Sequence, residues 1–141
     1  MNGQKKFNII PCSGIGKPLG SVSRLSAYFI HEEDFPNQTN LIPLALLVLG
    51  DDDSRNRIKS HASITLDGCQ KQCAKKIVEE CGGRIASEMV VLDIYRAHKQ
   101  LKPQGIAELN EAGQQLARLV ADRADAAIRS ALSCGKDGSN A

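Results

Sequence analysis

Cys69 and Cys73 are two thiols four residues apart, and they follow an apolar run that ends at Asp67-Gly68. If the segment after this turn is a helix, positions i and i+4 lie on one face with Cβ atoms about 5–6 Å apart. The sulfurs of a tetrahedral zinc site lie roughly 3.8 Å apart, because each Zn–S bond is about 2.3 Å long. One metal ion could therefore bind both side chains, and the spacing predicts a thiolate site.

Asp67 can cap this predicted helix, because its carboxylate can accept hydrogen bonds from the free N–H groups of the first turn. Cys69 would then lie in that turn, where the positive end of the helix stabilises a thiolate. Alternatively, both cysteines fill the inner face of an amphipathic helix, since free cysteine is among the most buried residue types. The agreement of turn, cap and spacing favours the functional pair.

A third cysteine, Cys12, ends a predicted strand and opens a loop with glycines at positions 14, 16 and 20. A glycine-rich turn before a helix can bind an anion through backbone N–H groups, which makes Gly14 and Gly16 weak candidates for a cofactor site. The loop does not match a P-loop, because a proline follows Lys17 where Ser or Thr is needed. We favour the simpler interpretation that the glycines let the backbone approach Cys12 closely.

Strand-like and helix-like segments alternate along the chain. The predicted strands cover residues 6–11, 62–67 and 88–94, and the predicted helices cover about 21–32, 42–49, 69–81 and 105–132. The helix at 42–49 is expected to be short and buried, although its length also suits a buried strand. This alternation predicts the α/β class, as a small three-layer domain with a mainly parallel sheet and flanking helices. Ligands bind at the carboxyl edge of such sheets. If the strands before Cys12 and Cys69 are neighbours, these thiols and Cys73 converge there.

Length and composition indicate one folded domain. The chain has 141 residues, enough for a real core, and we expect a single metal-binding domain over residues 1–134 and a disordered tail over 135–141. A net charge of +2, spread along the chain, argues against nucleic acid or an anionic membrane as a partner. The most apolar stretch, Leu41–Leu49, is too short to span a bilayer, so we expect a cytoplasmic protein.

The cysteine count indicates metal or thiol chemistry in a reducing compartment, because five is an odd number and does not suit a disulfide framework. Cys81 would lie roughly 18 Å along the helix from Cys69, too far to share a metal ion, so we expect it to be structural. Cys134 is expected to be an exposed thiol. The adjacent carboxylates at 51–53 lack the spacing of an EF-hand and predict a solvated surface.

Several segments together resemble the DGC-domain family of zinc-binding proteins. They are Cys12-Ser-Gly-Ile-Gly-Lys-Pro-Leu-Gly, Leu44-Ala-Leu-Leu-Val, Asp67-Gly68-Cys69, Cys73-Ala74-Lys75 and Leu101-Lys102-Pro103-Gln104-Gly105-Ile106. The resemblance spans nearly the whole chain. It implies a zinc site of four cysteines, of which Cys12, Cys69 and Cys73 carry over, and no assigned cellular role. The family's remaining cysteine would stand just before the Leu-Ala-Leu segment, where this chain has Pro43.

The missing cysteine leaves two arrangements open. Zinc with three protein ligands and an open position is typical of catalytic or metal-transfer sites, whereas structural sites are closed by four. A fourth ligand could instead be His98, which follows the third predicted strand. His61 precedes the second strand and would lie at the opposite edge.

Three functions are compatible with these residues. The leading hypothesis is a zinc-binding protein that acts as a metal carrier or sensor, since soft thiolates select zinc and similar ions. The second is a thiol-dependent redox enzyme, in which Cys12 attacks a substrate and Cys69 or Cys73 resolves the intermediate. The third is an interaction module whose cysteines fill the core. Whether the protein is an enzyme stays open at this point.

Overall fold

The computed structural model describes residues 5–12 and 14–138 of the protein. The strands are β1 (Phe7–Pro11), β2 (Thr39–Leu41), β3 (Ala62–Asp67) and β4 (Ile85–Val90). The helices are α1 (Pro18–Tyr28), α2 (Leu44–Leu49), α3 (Asp52–Ser60), α4 (Cys73–Glu80), α5 (Val91–Arg96) and α6 (Glu111–Gly138), and a π-helical segment, Phe29–Asp34, continues α1. Within the described residues, no helix has the length and hydropathy that crossing a bilayer requires.

The described strands form one sheet in the order β2-β1-β3-β4, and every pairing is parallel. β1 pairs with β3 along its whole length, from Phe7 opposite Ala62 to Pro11 opposite Leu66. The two strands therefore end side by side, immediately before Cys12 and Gly68. This arrangement confirms the predicted α/β fold, and it confirms that the strands leading to Cys12 and Cys69 are neighbours.

Helices cover both faces of the sheet. Successive strand residues point to opposite faces, and Ile9 and Ile10 of β1, both fully buried, belong to different apolar clusters. The cluster around Ile9 includes residues of α1, α5 and α6, such as Leu116. The cluster around Ile10 includes residues of α2, α3 and α4, such as Leu47 and Ile58. The predicted layers of helix, sheet and helix are therefore present.

The segment around residues 39–49 differs from the prediction. The strand β2 was not predicted, because its three residues are too short to form a pattern and depend on pairing with β1. The helix α2 begins at Leu44 rather than at 42, and it is not buried as predicted. Leu47 faces the core, whereas Val48 is 64% exposed and Leu49 is 78% exposed.

The helix α3 was also not predicted. Its first turn is capped by Asp51, whose carboxylate accepts a hydrogen bond from the Ser54 N–H over 2.9 Å. The hydrogen bonds from Ser54 lower the pKa of Asp51. Asp52 and Asp53 are exposed, as predicted for a solvated surface, and they lie where the helix dipole favours negative charge.

The third predicted strand, at 88–94, is wrong in its second half. The strand β4 ends at Val90, and α5 begins at the next residue. The reason is the length of the neighbouring strand: β3 ends at Asp67, which pairs with Val90. Beyond that point the Leu92 N–H donates to the Gly68 carbonyl over 3.1 Å, and the chain turns into a helix.

The long helix α6 begins at Glu111 rather than at about 105. The side chain of Asn110 sets this start, because its Oδ1 atom accepts a hydrogen bond from the Gly113 N–H over 2.8 Å. The helix runs to Gly138, past the predicted domain boundary at residue 134. Residues 139–141 of the predicted tail lie outside the described part of the chain.

A network around Arg118 joins α6 to the π-helical segment. The guanidinium of Arg118 pairs with Asp34 and lies 3.3 Å from the Asp125 carboxylate. Burial raises the pKa of Asp125 to about 7, and its contact with Asp34 acts in the same direction. Burial also opposes ionisation of Asp34, but hydrogen bonds from Asp125 and Arg118 outweigh it and lower the pKa of Asp34.

Candidate functional site

Cys12 lies at the carboxyl end of β1, held by contacts to the neighbouring strand. Its N–H donates to the Leu66 carbonyl over 2.9 Å and extends the ladder between β1 and β3 by one residue. Its Sγ atom accepts a hydrogen bond from the Gly68 N–H at 3.3 Å and lies 3.5 Å from the Ser23 hydroxyl. The sulfur therefore has one backbone donor, the Gly68 N–H, and a hydroxyl neighbour that can donate or accept.

The glycines near Cys12 allow three backbone segments to cross at close range. A Cβ atom at Gly20 would lie 2.1 Å from the Gly14 carbonyl oxygen, and one at Gly14 would lie 3.4 Å from the Cys12 sulfur. A Cβ atom at Gly68 would lie 3.1 Å from the backbone of Leu19. The tightest approach is therefore between Gly14 and Gly20, whereas a Cβ atom at Gly14 would make only an ordinary contact with the Cys12 sulfur.

The loop between Cys12 and α1 closes as a tight turn. Gly16 has a φ of +91°, and the Lys17 N–H donates to the Gly14 carbonyl over 3.3 Å. The helix then starts at Pro18, earlier than the predicted start at about 21, because proline is favoured at the first helical position. Binding of an anion by the backbone at Gly14 and Gly16 stays a prediction.

The predicted helix over 69–81 starts later than expected. The assumption that Cys69 and Cys73 lie at positions i and i+4 of one helix is therefore wrong. The helix α4 begins at Cys73. Cys69 lies before it in a turn closed by the Gln72 N–H, which donates to the Cys69 carbonyl over 3.2 Å. Gln72 has a φ of +50°. The two thiols are therefore not on one helix face, and the first turn contains Cys73 instead of Cys69.

Asp67 sets this late start. Its carboxylate accepts hydrogen bonds from the Ala74 N–H over 2.8 Å and from the Lys75 N–H over 3.2 Å. Asp67 therefore caps α4 as predicted, but across the intervening loop rather than from the adjacent position. Burial raises the pKa of Asp67 more than these hydrogen bonds lower it.

The predicted metal ligands come together at one cavity of about 320 Å³ at the carboxyl edge of the sheet. Cys12, Cys69 and Cys73 all line it. Cys12 and Cys69 are half-buried and Cys73 is exposed, and each is a free thiol. Within the described residues, however, no group of three or more His, Cys, Asp or Glu side chains is arranged to hold a metal ion. The cysteines share a cavity without forming a ready coordination shell.

Sequence reasoning missed three residues around the thiols. Lys17 and Lys71 line the cavity and bring positive charge to it. Ser23 lies on the buried face of α1 with its hydroxyl near Cys12. The signal for Ser23 was present in the sequence, since a serine among the apolar positions of an amphipathic helix needs a hydrogen-bond partner. The lysines carried no such signal.

The other predicted ligands and cysteines lie elsewhere. His61 lines a cavity at the opposite edge of the sheet, as expected from its position before β3. His98 follows α5, and its Nδ1 atom lies 3.1 Å from the Ile94 carbonyl oxygen. Cys81 packs against the cluster around Ile10, in keeping with the expected structural role. The side chain of Cys134 lies outside the described part of the chain.

Comparison with protein families identifies the domain. The family model for the DGC domain matches residues 8–115. The chain belongs to the DGC-domain family. The matched region of this DGC domain runs from β1 to the first turns of α6 and contains Cys12, Cys69 and Cys73. No match was found among curated proteins or among solved structures.

The residues at positions 67–69 of this DGC domain have three separate roles. Asp67 caps α4, Gly68 donates its N–H to the Cys12 sulfur, and Cys69 lines the cavity. The short motif therefore links the end of β3 to both of the other cysteines.

Proposed function

We propose that this DGC-domain protein binds zinc through Cys12, Cys69 and Cys73 and acts as a metal carrier or sensor. The observation that supports this proposal is that three free thiols from two separate chain segments line one cavity. Thiolate ligands are soft and select zinc or similar ions over magnesium and calcium.

The charges around the cavity support the same assignment. Three thiolates carry more negative charge than a zinc ion neutralises, so a three-cysteine site is anionic. Two lysines, Lys17 and Lys71, and one carboxyl group, that of Asp67, line the cavity, so positive charge from the lysines can offset that of the thiolates. The Gly68 N–H also donates a hydrogen bond to the sulfur of Cys12.

The donor types fit zinc, but the arrangement requires a local movement. Cys69 lies in a turn and Cys73 is exposed at the start of α4, so binding would draw residues 69–73 towards Cys12. An exposed thiol and an open coordination position also let an incoming ligand reach the ion. These properties suit a site that takes up and releases metal more than one that holds it permanently.

Zinc content tests the proposal. We expect protein purified without an affinity tag to contain about one zinc ion per chain. Replacing Cys12, Cys69 or Cys73 by Ser should abolish zinc binding, whereas the Cys81→Ser variant should retain the zinc ion. Equal loss of zinc in the Cys81 variant would contradict the assignment.

A second candidate function is a thiol-dependent redox enzyme, and the presence of Cys69 and Cys73 on the same cavity as Cys12 favours it. The Cys12 thiolate would attack a disulfide substrate, release one substrate thiolate and form a mixed disulfide. Cys69 or Cys73 would then displace the second substrate thiolate and form a disulfide with Cys12. The substrate gains the two electrons that the protein dithiol loses. A disulfide that forms equally well with and without zinc would favour this function.

A further inference from the structure

A second cavity opens on the other side of Cys12, between α1 and the segment that joins β2 to α2. It has a volume of about 420 Å³, within the range of about 300–1,000 Å³ typical of small-molecule sites. Its walls are mostly apolar and include Leu41, Ile42, Leu44 and Val48. Cys12 also lines the thiol cavity and separates the two. We call this second cavity the α1–α2 cleft.

The polar groups of the α1–α2 cleft are Arg24 and Tyr28, which lie one turn apart on α1. Arg24 is half-buried, as are Arg55 and Arg118. Arg55 donates to the Leu47 carbonyl and Arg118 pairs with carboxylates. Among the described residues, Arg24 makes no ion pair and no side-chain hydrogen bond. A guanidinium taken partly out of water without a partner is suited to an external anion.

Arg24 and Tyr28 also line a smaller cavity of about 290 Å³, on the side of Ile106. Glu108 lines that cavity, and its negative charge disfavours an anion there. No acidic residue lines the α1–α2 cleft. The charges therefore favour an anionic group that binds Arg24 from within the α1–α2 cleft. The rest of such a ligand would contact the apolar walls.

The outer wall of the α1–α2 cleft is apolar surface that a ligand would cover. Val48 is 64% exposed although it lines the cleft, and Tyr28 is 41% exposed. Exposed apolar surface with polar groups at its rim is typical of binding sites.

We propose that the α1–α2 cleft binds a small apolar carboxylate. The carboxylate would accept two hydrogen bonds from the guanidinium of Arg24 and one from the Tyr28 hydroxyl, and the hydrocarbon part would pack against Ile42 and Val48. Cys12 lines both this cleft and the thiol cavity, so carboxylate binding is tested on metal-free protein.

Octanoate is a suitable probe, and octanamide is its uncharged match. Titration calorimetry on the full chain, treated with a chelator to remove metal, should show saturable binding of octanoate and weaker binding of octanamide. Arg24→Gln should weaken octanoate binding about tenfold or more, because a charge-assisted pair is lost, and should leave octanamide binding unchanged. Arg123→Gln, an exposed arginine of α6, is the matched control and should bind octanoate like the wild type.

Chemical-shift changes at the methyl groups of Ile42 and Val48 should locate the octanoate in the α1–α2 cleft. Absence of saturable binding would overturn the proposal, as would equal binding of octanoate and octanamide. Concentration-dependent dimerisation that Val48→Asp abolishes would also overturn it, since a second copy of the chain would then cover the cleft. Circular dichroism of each variant checks that the fold is intact.

Discussion

The Gly68 N–H donates a hydrogen bond to the Cys12 sulfur over 3.3 Å, across 56 positions of the sequence. The bond depends on glycine, because a Cβ atom at position 68 would lie 3.1 Å from the backbone of Leu19. The loop after β3 thus lies against the first turn of α1 and contacts the Cys12 side chain. This crossing brings Cys69 and Cys73 to the cavity that Cys12 lines.

Alanine substitutions at the glycine crossing should destabilise the protein in a defined order. A Cβ atom at Gly20 would lie 2.1 Å from the Gly14 carbonyl oxygen, a worse clash than the one at Gly68. We expect Gly20→Ala to lower the free energy of unfolding by about 1–3 kcal/mol, and Gly68→Ala to lower it less. Urea denaturation measures both. Helix propensity alone predicts that Gly20→Ala stabilises α1 by about 1 kcal/mol. An increase in stability would therefore contradict the close approach of the Gly20 and Gly14 backbones.

Removal of the Asp67 carboxylate should affect both α4 and zinc binding. Asp67→Ala removes the acceptor of the Ala74 and Lys75 N–H groups, and loss of such a cap costs about 0.5–2 kcal/mol. Cys73 then loses its fixed position at the start of α4. Urea denaturation should show the loss of stability, and competition with a chelator should show weaker zinc retention.

Asp51→Ala is the matched control for Asp67, because Asp51 caps α3 through the Ser54 N–H, on a helix without a candidate ligand. We expect a comparable loss of stability with unchanged zinc retention. If both variants lose zinc equally, the effect of Asp67 is a general consequence of lower stability.

The buried carboxylate of Asp125 should make the protein less stable as the pH rises. Its pKa in the folded protein is raised from 3.8 to about 7, so the folded state holds a proton that the unfolded chain releases. The contribution of Asp125 to the free energy of unfolding is full below pH 3.8. It falls by at most about 1.4 kcal/mol per pH unit and is lost above about pH 7. Asp34 acts in the opposite direction, because its lowered pKa gives stability that is lost as the pH falls below 3.8.

Asp125→Asn removes this titration and should flatten the pH dependence of stability between about pH 4 and 7. It should also be more stable than the wild type above pH 7, since the amide needs no proton. Thermal unfolding across this pH range provides the comparison. Asp122→Asn is the control, because the Asp122 side chain is 62% exposed, and it should keep the wild-type slope. A wild-type slope in Asp125→Asn would show that another group is responsible.

The sequence contains enough information for the sheet and for the convergence of the thiols. The strand β3 covers 62–67 as predicted, because its apolar residues alternate with polar ones and the segment ends at Gly68. The meeting of Cys12 and Cys69 follows from parallel neighbours that end together. Both features depend on local patterns or on general rules of α/β folds.

The features that were missed depend on contacts between distant residues. The start of α4 is set by the Asp67 carboxylate acting over a loop, and nothing near Gln72 indicates its left-handed conformation. The end of β4 is set by the length of β3. The strand β2 exists because β1 has a free edge. None of these contacts leaves a periodic pattern in the chain itself.

A cysteine at position 43 should strengthen zinc binding. Pro43 stands where the resemblance to the family places a fourth cysteine, and it lines the α1–α2 cleft together with Cys12. We expect Pro43→Cys to retain zinc against a higher chelator concentration, because four thiolates close the coordination shell. Ala45→Cys, on the first turn of α2 and also on the cleft, should show wild-type retention. Unchanged affinity in Pro43→Cys would place position 43 outside the reach of the metal.

We propose that one zinc ion binds Cys12, Cys69 and Cys73 together. The most direct test is the alkylation rate of each cysteine, measured by mass spectrometry with and without one equivalent of zinc. Cys81 serves as the internal reference, since it is half-buried and lies at the far end of α4. We expect zinc to slow alkylation of the three cysteines to the same extent and to leave the rate at Cys81 unchanged. Protection of Cys69 and Cys73 without Cys12, or fast reaction of Cys12 at neutral pH whatever the zinc level, would contradict the shared site.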